Sequence, residues 1–145
     1  MTKEVAMQIL MNAQFFAAGA EKCLEPKPDG HPISETTLPG IVCLSFSAEL
    51  MLKAIAMAEG STLWGHDLKK LFDGLSSVSK NYLRAQIPME PAAFDDSMKT
   101  VARTFDDWRY VHEKGKGFAA VGFLRQLVDA SRERANDLVY GPKPV

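Results

Sequence analysis

Ile41-Val42-Cys43-Leu44-Ser45-Phe46-Ser47-Ala48-Glu49-Leu50-Met51-Leu52-Lys53-Ala54-Ile55-Ala56-Met57-Ala58 is the stretch that decides the fold. Ile41, Leu44, Ala48, Met51, Ile55 and Ala58 recur at spacings of three and four, the period of one helix face. Thr37 suits a cap, Pro39 suits a first turn and Gly60 suits a stop, so a core helix is expected over about 39–60. Within it, Glu49 and Lys53 form an i,i+4 pair in the favourable order, worth roughly 0.3 kcal/mol on a solvated face.

Upstream, residues 25–40 contain four prolines and a Pro28-Asp29-Gly30 turn, which excludes regular structure and predicts one extended loop. Before it, residues 3–24 are apolar almost all round and predict a helix packed between neighbours. Downstream, Asp67 is placed to cap a shorter helix beginning near His66. A broken helical segment continues to Ile87, where Pro88 and Pro91 stop it. Phe94, Met98, Val101, Phe105, Trp108 and His112 then fall at spacings 4-3-4-3-4, an apolar seam closed by Gly115 and Gly117. A last helix is expected over about 118–139, ended by Gly141-Pro142. No alternating β-branched run and no repeat interrupts this pattern. The expected fold is all-α, a single domain over 1–145 built as an up-and-down bundle of about five helices.

Bulk chemistry narrows the function classes only a little. A net charge of −1 gives no global attraction to nucleic acid or anionic membrane. Residues 1–98 carry 8 basic and 12 acidic side chains, whereas residues 99–145 carry 9 and 6, a mild basic bias at the C-terminal end. Cys23 and Cys43 lie in apolar helical contexts without Cys-x-x-Cys spacing, which fits a reduced pair in a cytoplasmic protein. Three dispersed histidines, His31, His66 and His112, lack metal-ligand spacing, so neither a metal nor another cofactor is expected. The polar Asn12 and Gln14 interrupt the first apolar run, and no membrane association is expected.

The densest chemistry lies in Phe105-Asp106-Asp107-Trp108-Arg109-Tyr110-Val111-His112-Glu113. On a helix, Arg109 and His112 are i,i+3 neighbours: a permanent cation beside an imidazole that titrates near neutrality, a pair suited to a phosphate. His112 would serve as general acid/base and Arg109 would stabilise developing charge. The rival reading makes both packing residues, because His112 ends the apolar seam. Trp108 and Tyr110 carry the same two readings, base stacking or core packing. Arg103, Lys114 and Lys116 are candidate phosphate contacts, Lys114 and Lys116 lying in a flexible Gly-containing loop. His66, beside Asp67, reads as a capping and packing residue.

Three pieces stand in order: Leu44 to Ile55 on the core helix, Gly65-His66-Asp67-Leu68-Lys69-Lys70-Leu71-Phe72 opening the next, and Trp108-Arg109-Tyr110-Val111-His112-Glu113 ending the seam. Together they resemble the HEPN superfamily over about residues 41–113. That resemblance implies a helical bundle, usually dimeric, tied to nucleotidyltransferase partners, toxin–antitoxin pairs or RNA-targeting defence. Active members resemble one another in an Arg followed, after four to six residues, by a His that cleaves RNA without metal at a dimer interface. Here only Tyr110 and Val111 separate Arg109 from His112, and eight residues separate Arg103 from His112. The expectation is therefore a homodimeric nucleotide- or RNA-associated binding or regulatory module. Endoribonuclease action by Arg109 and His112, or a purely protein–protein role, stands as the alternative.

Overall fold

A computed structural model describes residues 2–30, 34–103 and 120–144. Among them it is all-α: α1 Thr2–Cys23, α2 Thr37–Ala58, α3 Leu68–Asp73, α4 Ser77–Gln86, α5 Pro91–Val101 and α6 Ala120–Tyr140. The broken segment expected before Ile87 is two helices. Gly74 closes α3, and Ser76 caps α4 by accepting from the Ser79 amide at 3.1 Å. Asp67 caps α3 as expected, its carboxylate accepting from the Lys70 amide at 3.0 Å. The start of α2 differs from expectation. Its N-cap is Thr36, whose hydroxyl donates to the Cys23 carbonyl at 2.9 Å, so the side chain ties α2 to the end of α1 instead of capping its own helix. Thr37 is already helical, and its Oγ1 accepts from the Ser34 amide at 2.9 Å.

Polar cross-links give the directions of the long helices. Thr36 meets Cys23, and the buried Ser47 hydroxyl donates to the Ala13 carbonyl at 2.8 Å, so α1 and α2 are antiparallel. Arg125 pairs with Glu21 at 2.9 Å near one end, and Arg134 lies 3.7 Å from Glu59 near the other, so α6 runs parallel to α2. Helix α2 is the centre: Ile41, Leu44, Met51, Leu52 and Ile55 are fully buried. By length and composition α2 is apolar enough to cross a membrane, but here most of it is buried within the bundle. Phe72, Phe94 and Phe123 bring α3, α5 and α6 onto the same core, with ring centroids 5.3 and 5.6 Å apart. Arg84 lies over two of those rings, 4.7 Å from the Phe94 centroid, while pairing with Asp95 at 2.8 Å.

Helix α1 was expected to be enclosed by neighbours. It instead buries one narrow line, Ala6, Leu10, Ala13, Ala17 and Ala20, and leaves Met7, Met11, Phe15 and Phe16 exposed. Four alanines in that line let the α1 and α2 backbones approach closely. Gly40 marks the tightest point, where an added Cβ would lie 2.8 Å from the Leu24 Cγ and 2.9 Å from the Cys23 Cβ. Glycine to alanine inside a helix normally stabilises by about 0.5–1 kcal/mol. At Gly40 the overlap reverses the sign: Gly40→Ala is expected to lower unfolding free energy by roughly 1–3 kcal/mol in a urea titration.

Candidate functional site

Helix α2 carries its ion pair on the buried side. Glu49 is only 2% exposed, with Ala48 and Leu52 buried beside it. A carboxylate removed from water must be paired. Both its oxygens are used: Oε2 accepts from the Lys53 ammonium at 2.9 Å, and Oε1 lies 2.9 Å from His66 Nδ1. Lys53 comes from one turn further along α2, and its partly buried stem leads the charge outward. His66 comes from the turn before α3, 17 residues from Glu49 in sequence, and its ring is 57% exposed. The buried carboxylate thus holds two cationic or protonatable groups at the surface. With Nδ1 donating to Glu49, the imidazole takes the tautomer whose Nε2 is an acceptor. His66 was expected to cap and pack; Asp67 does the capping, and His66 closes this cluster.

The turn that delivers His66 also presents Trp64, which is 85% exposed. Gly60 and Gly65, with φ of +85° and +94°, make the two left-handed positions that bend the chain between α2 and α3. At the far side of the turn, the Leu68 amide donates to the Ala102 carbonyl at 2.7 Å, fastening α3 to the end of α5. Arg103, exposed, is the next residue along. A surface indole thus shares a turn with a carboxylate-held imidazole, the Lys53 ammonium lies on the same carboxylate, and the Arg103 guanidinium follows the residue that fastens α3. An indole offers a face for a base, and the cations offer charge to a phosphate.

Of the candidate site residues singled out in the sequence, Arg103 is the one within the described residues, directly after the Ala102 carbonyl that holds the start of α3. Arg109, His112, Lys114 and Lys116 lie outside the described residues, as do Trp108, Tyr110 and His31. Sequence reading missed Glu49, Lys53, His66 and Trp64 as one group. Trp64 carried a usable signal, since it sits in a glycine-bounded turn off every apolar stripe. Among the described residues no group of metal-ligating side chains is assembled. Cys23 and Cys43 are free thiols, and burial, followed by the proximity of Cys23, raises the Cys43 pKa.

A second polar cluster joins α4 and α6 to the end of α2. Glu59 Oε2 accepts from the Ser76 hydroxyl at 2.6 Å and the Ser79 hydroxyl at 2.7 Å, and Arg134 Nε donates to Ser79 Oγ at 2.9 Å. Arg134 also lies over the Tyr82 ring, 5.4 Å from its centroid. Its donors and acceptors satisfy one another, which makes it a clamp between helices.

No protein-family model, no curated protein and no solved structure matches the chain. The geometry of the Glu49 cluster makes a stability prediction. Lys53→Met leaves the buried carboxylate with His66 alone and is expected to cost about 1–3 kcal/mol. Adding Glu49→Leu removes the stranded charge, so the double variant should unfold at higher denaturant than Lys53→Met. Equal or additive losses would show that the pair is not coupled.

Proposed function

We propose that the chain is a HEPN-like helical module that binds single-stranded RNA or a nucleotide at the turn between α2 and α3. The observation that carries this reading is Trp64, 85% exposed in the same turn as the Glu49-held His66. An exposed indole has a free π-face on which a base of any identity stacks. A base stacks on the indole while Lys53 and Arg103 offer charge to the backbone phosphates and His66 Nε2 accepts from a sugar hydroxyl. The resemblance supports the same place. Two of the sequence pieces on which it rests, Leu44 to Ile55 and Gly65 to Phe72, are joined by the Glu49–His66 contact. A regulatory role in a toxin–antitoxin or defence system, with a nucleotidyltransferase-like protein as partner and a cytoplasmic location, belongs to this proposal.

Binding is the first reading because it rests on the exposed indole alone. One observation favours a chemical role: a carboxylate 2.9 Å from Nδ1 is the arrangement that orients an imidazole as a base. In that second reading His66 Nε2 accepts the proton of an RNA 2′-hydroxyl as its oxygen attacks the adjacent phosphorus, the bond from phosphorus to the 5′-oxygen breaks, and that oxygen leaves with a proton. Arg109 and His112 would then assist charge and proton transfer at a dimer interface.

Fluorescence anisotropy with a labelled single-stranded RNA separates these readings. Wild type is expected to bind with an affinity that falls as salt rises, and Trp64→Ala is expected to weaken binding roughly 5- to 100-fold. Unchanged affinity in Trp64→Ala would remove the site. Mixed cellular RNA incubated without added metal should remain intact. Cleavage by wild type that is lost in His66→Ala, or in Arg109→Ala/His112→Ala, would move the enzyme reading to first place.

A further inference from the structure

Helix α1 turns an apolar, patterned face to solvent. Phe15 is 65% exposed and Met11 49% exposed, with Met7 on the same side. Phe16, on the flank, already has a partner: its ring meets Phe46 edge-to-face at 4.7 Å. Among the described residues no ring or side-chain contact covers the Met11–Phe15 line, and its residues are arranged symmetrically about position 13. Large faces large at Met11 and Phe15, two positions either side of that point. Large faces small at Met7 and Gly19, six positions either side; an added Cβ at Gly19 would meet nothing within 4 Å, so that space is open. Opposite charges, Glu4 and Lys22, stand nine positions either side. At 100° per residue all six project within about 120° of one another, on the side away from Ala6, Ala13 and Ala20.

We propose that α1 forms an antiparallel two-fold pair with α1 of a second copy of this chain. In that register Met11 packs on Phe15, Met7 fills the open space over Gly19, and Glu4 meets Lys22, each contact occurring twice as a two-fold interface requires. Antiparallel helices also set opposite dipole ends beside one another. Lys22 now holds Glu25 at 3.6 Å on the surface and Glu4 has a contact of its own within the protomer, so pairing exchanges exposed contacts inside one copy for contacts between copies. A membrane fits this face poorly, because basic residues do not border it on both sides. The dimer does not depend on the ligand proposed above, and α1 contributes no residue to the Trp64 cluster.

Sedimentation equilibrium of the full chain tests the interface. Wild type is expected to be a dimer at micromolar concentration, and Phe15→Glu is expected to raise the dimer dissociation constant roughly a hundredfold or more. The register has its own test. Glu4→Lys and Lys22→Glu are each expected to weaken self-association roughly fivefold, whereas their equimolar mixture forms a heterodimer in which both end contacts are complementary. Circular dichroism confirms that each variant keeps its helices. A monomeric wild type, or a dimer indifferent to Phe15→Glu, overturns the proposal. Two weakened single variants that gain nothing on mixing overturn the antiparallel register.

Discussion

The structure turns on a carboxylate buried in the middle of its central helix. Taking Glu49 out of water costs several kcal/mol unless both oxygens find donors. One donor, Lys53, is available on α2 itself. The other must come from elsewhere, and the chain supplies it by bending at Gly60 and Gly65 until His66 reaches back to the Glu49 carboxylate. That requirement fixes where α3 begins. It also settles what the turn displays, since holding His66 against α2 leaves Trp64 in solvent. Stability and the candidate site share one cause: the interaction that offsets the buried charge also positions the surface groups.

Around this point the bundle is assembled by size. Alanines on the inner line of α1, with Gly40 at the start of α2, bring two 22-residue helices close enough for the Ser47 hydroxyl to reach a backbone carbonyl across the interface. Close approach uses the small residues of α1 and leaves its methionines and Phe15 pointing away. An apolar helix on the outside of the bundle is therefore a consequence of how the inside is packed. The three phenylalanines of α3, α5 and α6, with Arg84 over two of them, fill the opposite side of the core.

The all-α class was legible because helical period is a local property. The stripe from Ile41 to Ala58, the Asp67 cap and the Gly141 stop, with φ of +87°, all follow from neighbours in sequence. Position within the bundle was less legible. Helix α2 is apolar on nearly every side, so periodicity does not tell which side meets water, and the spacing of Glu49 and Lys53 identifies the pair without showing that its carboxylate is buried. For α1 the same ambiguity ran the other way, and an open face was taken for a buried one. The contact of His66 with Glu49 depends on a turn closing 17 residues, which local pattern does not encode. The Thr36 hydroxyl was spent across helices for a related reason: its best acceptor, the Cys23 carbonyl, is 13 residues away in sequence.

The most direct test of the central claim is a nuclear magnetic resonance titration of isotopically labelled protein with a short single-stranded RNA. The account predicts that the Trp64 indole, the Gly65 amide and the His66 ring resonances shift together and saturate with one affinity. It also predicts that His66 Nδ1 carries a proton, donated to Glu49, before RNA is added. Saturable shifts confined to other parts of the bundle, or no shifts at all, would contradict a ligand site at the Glu49-held turn.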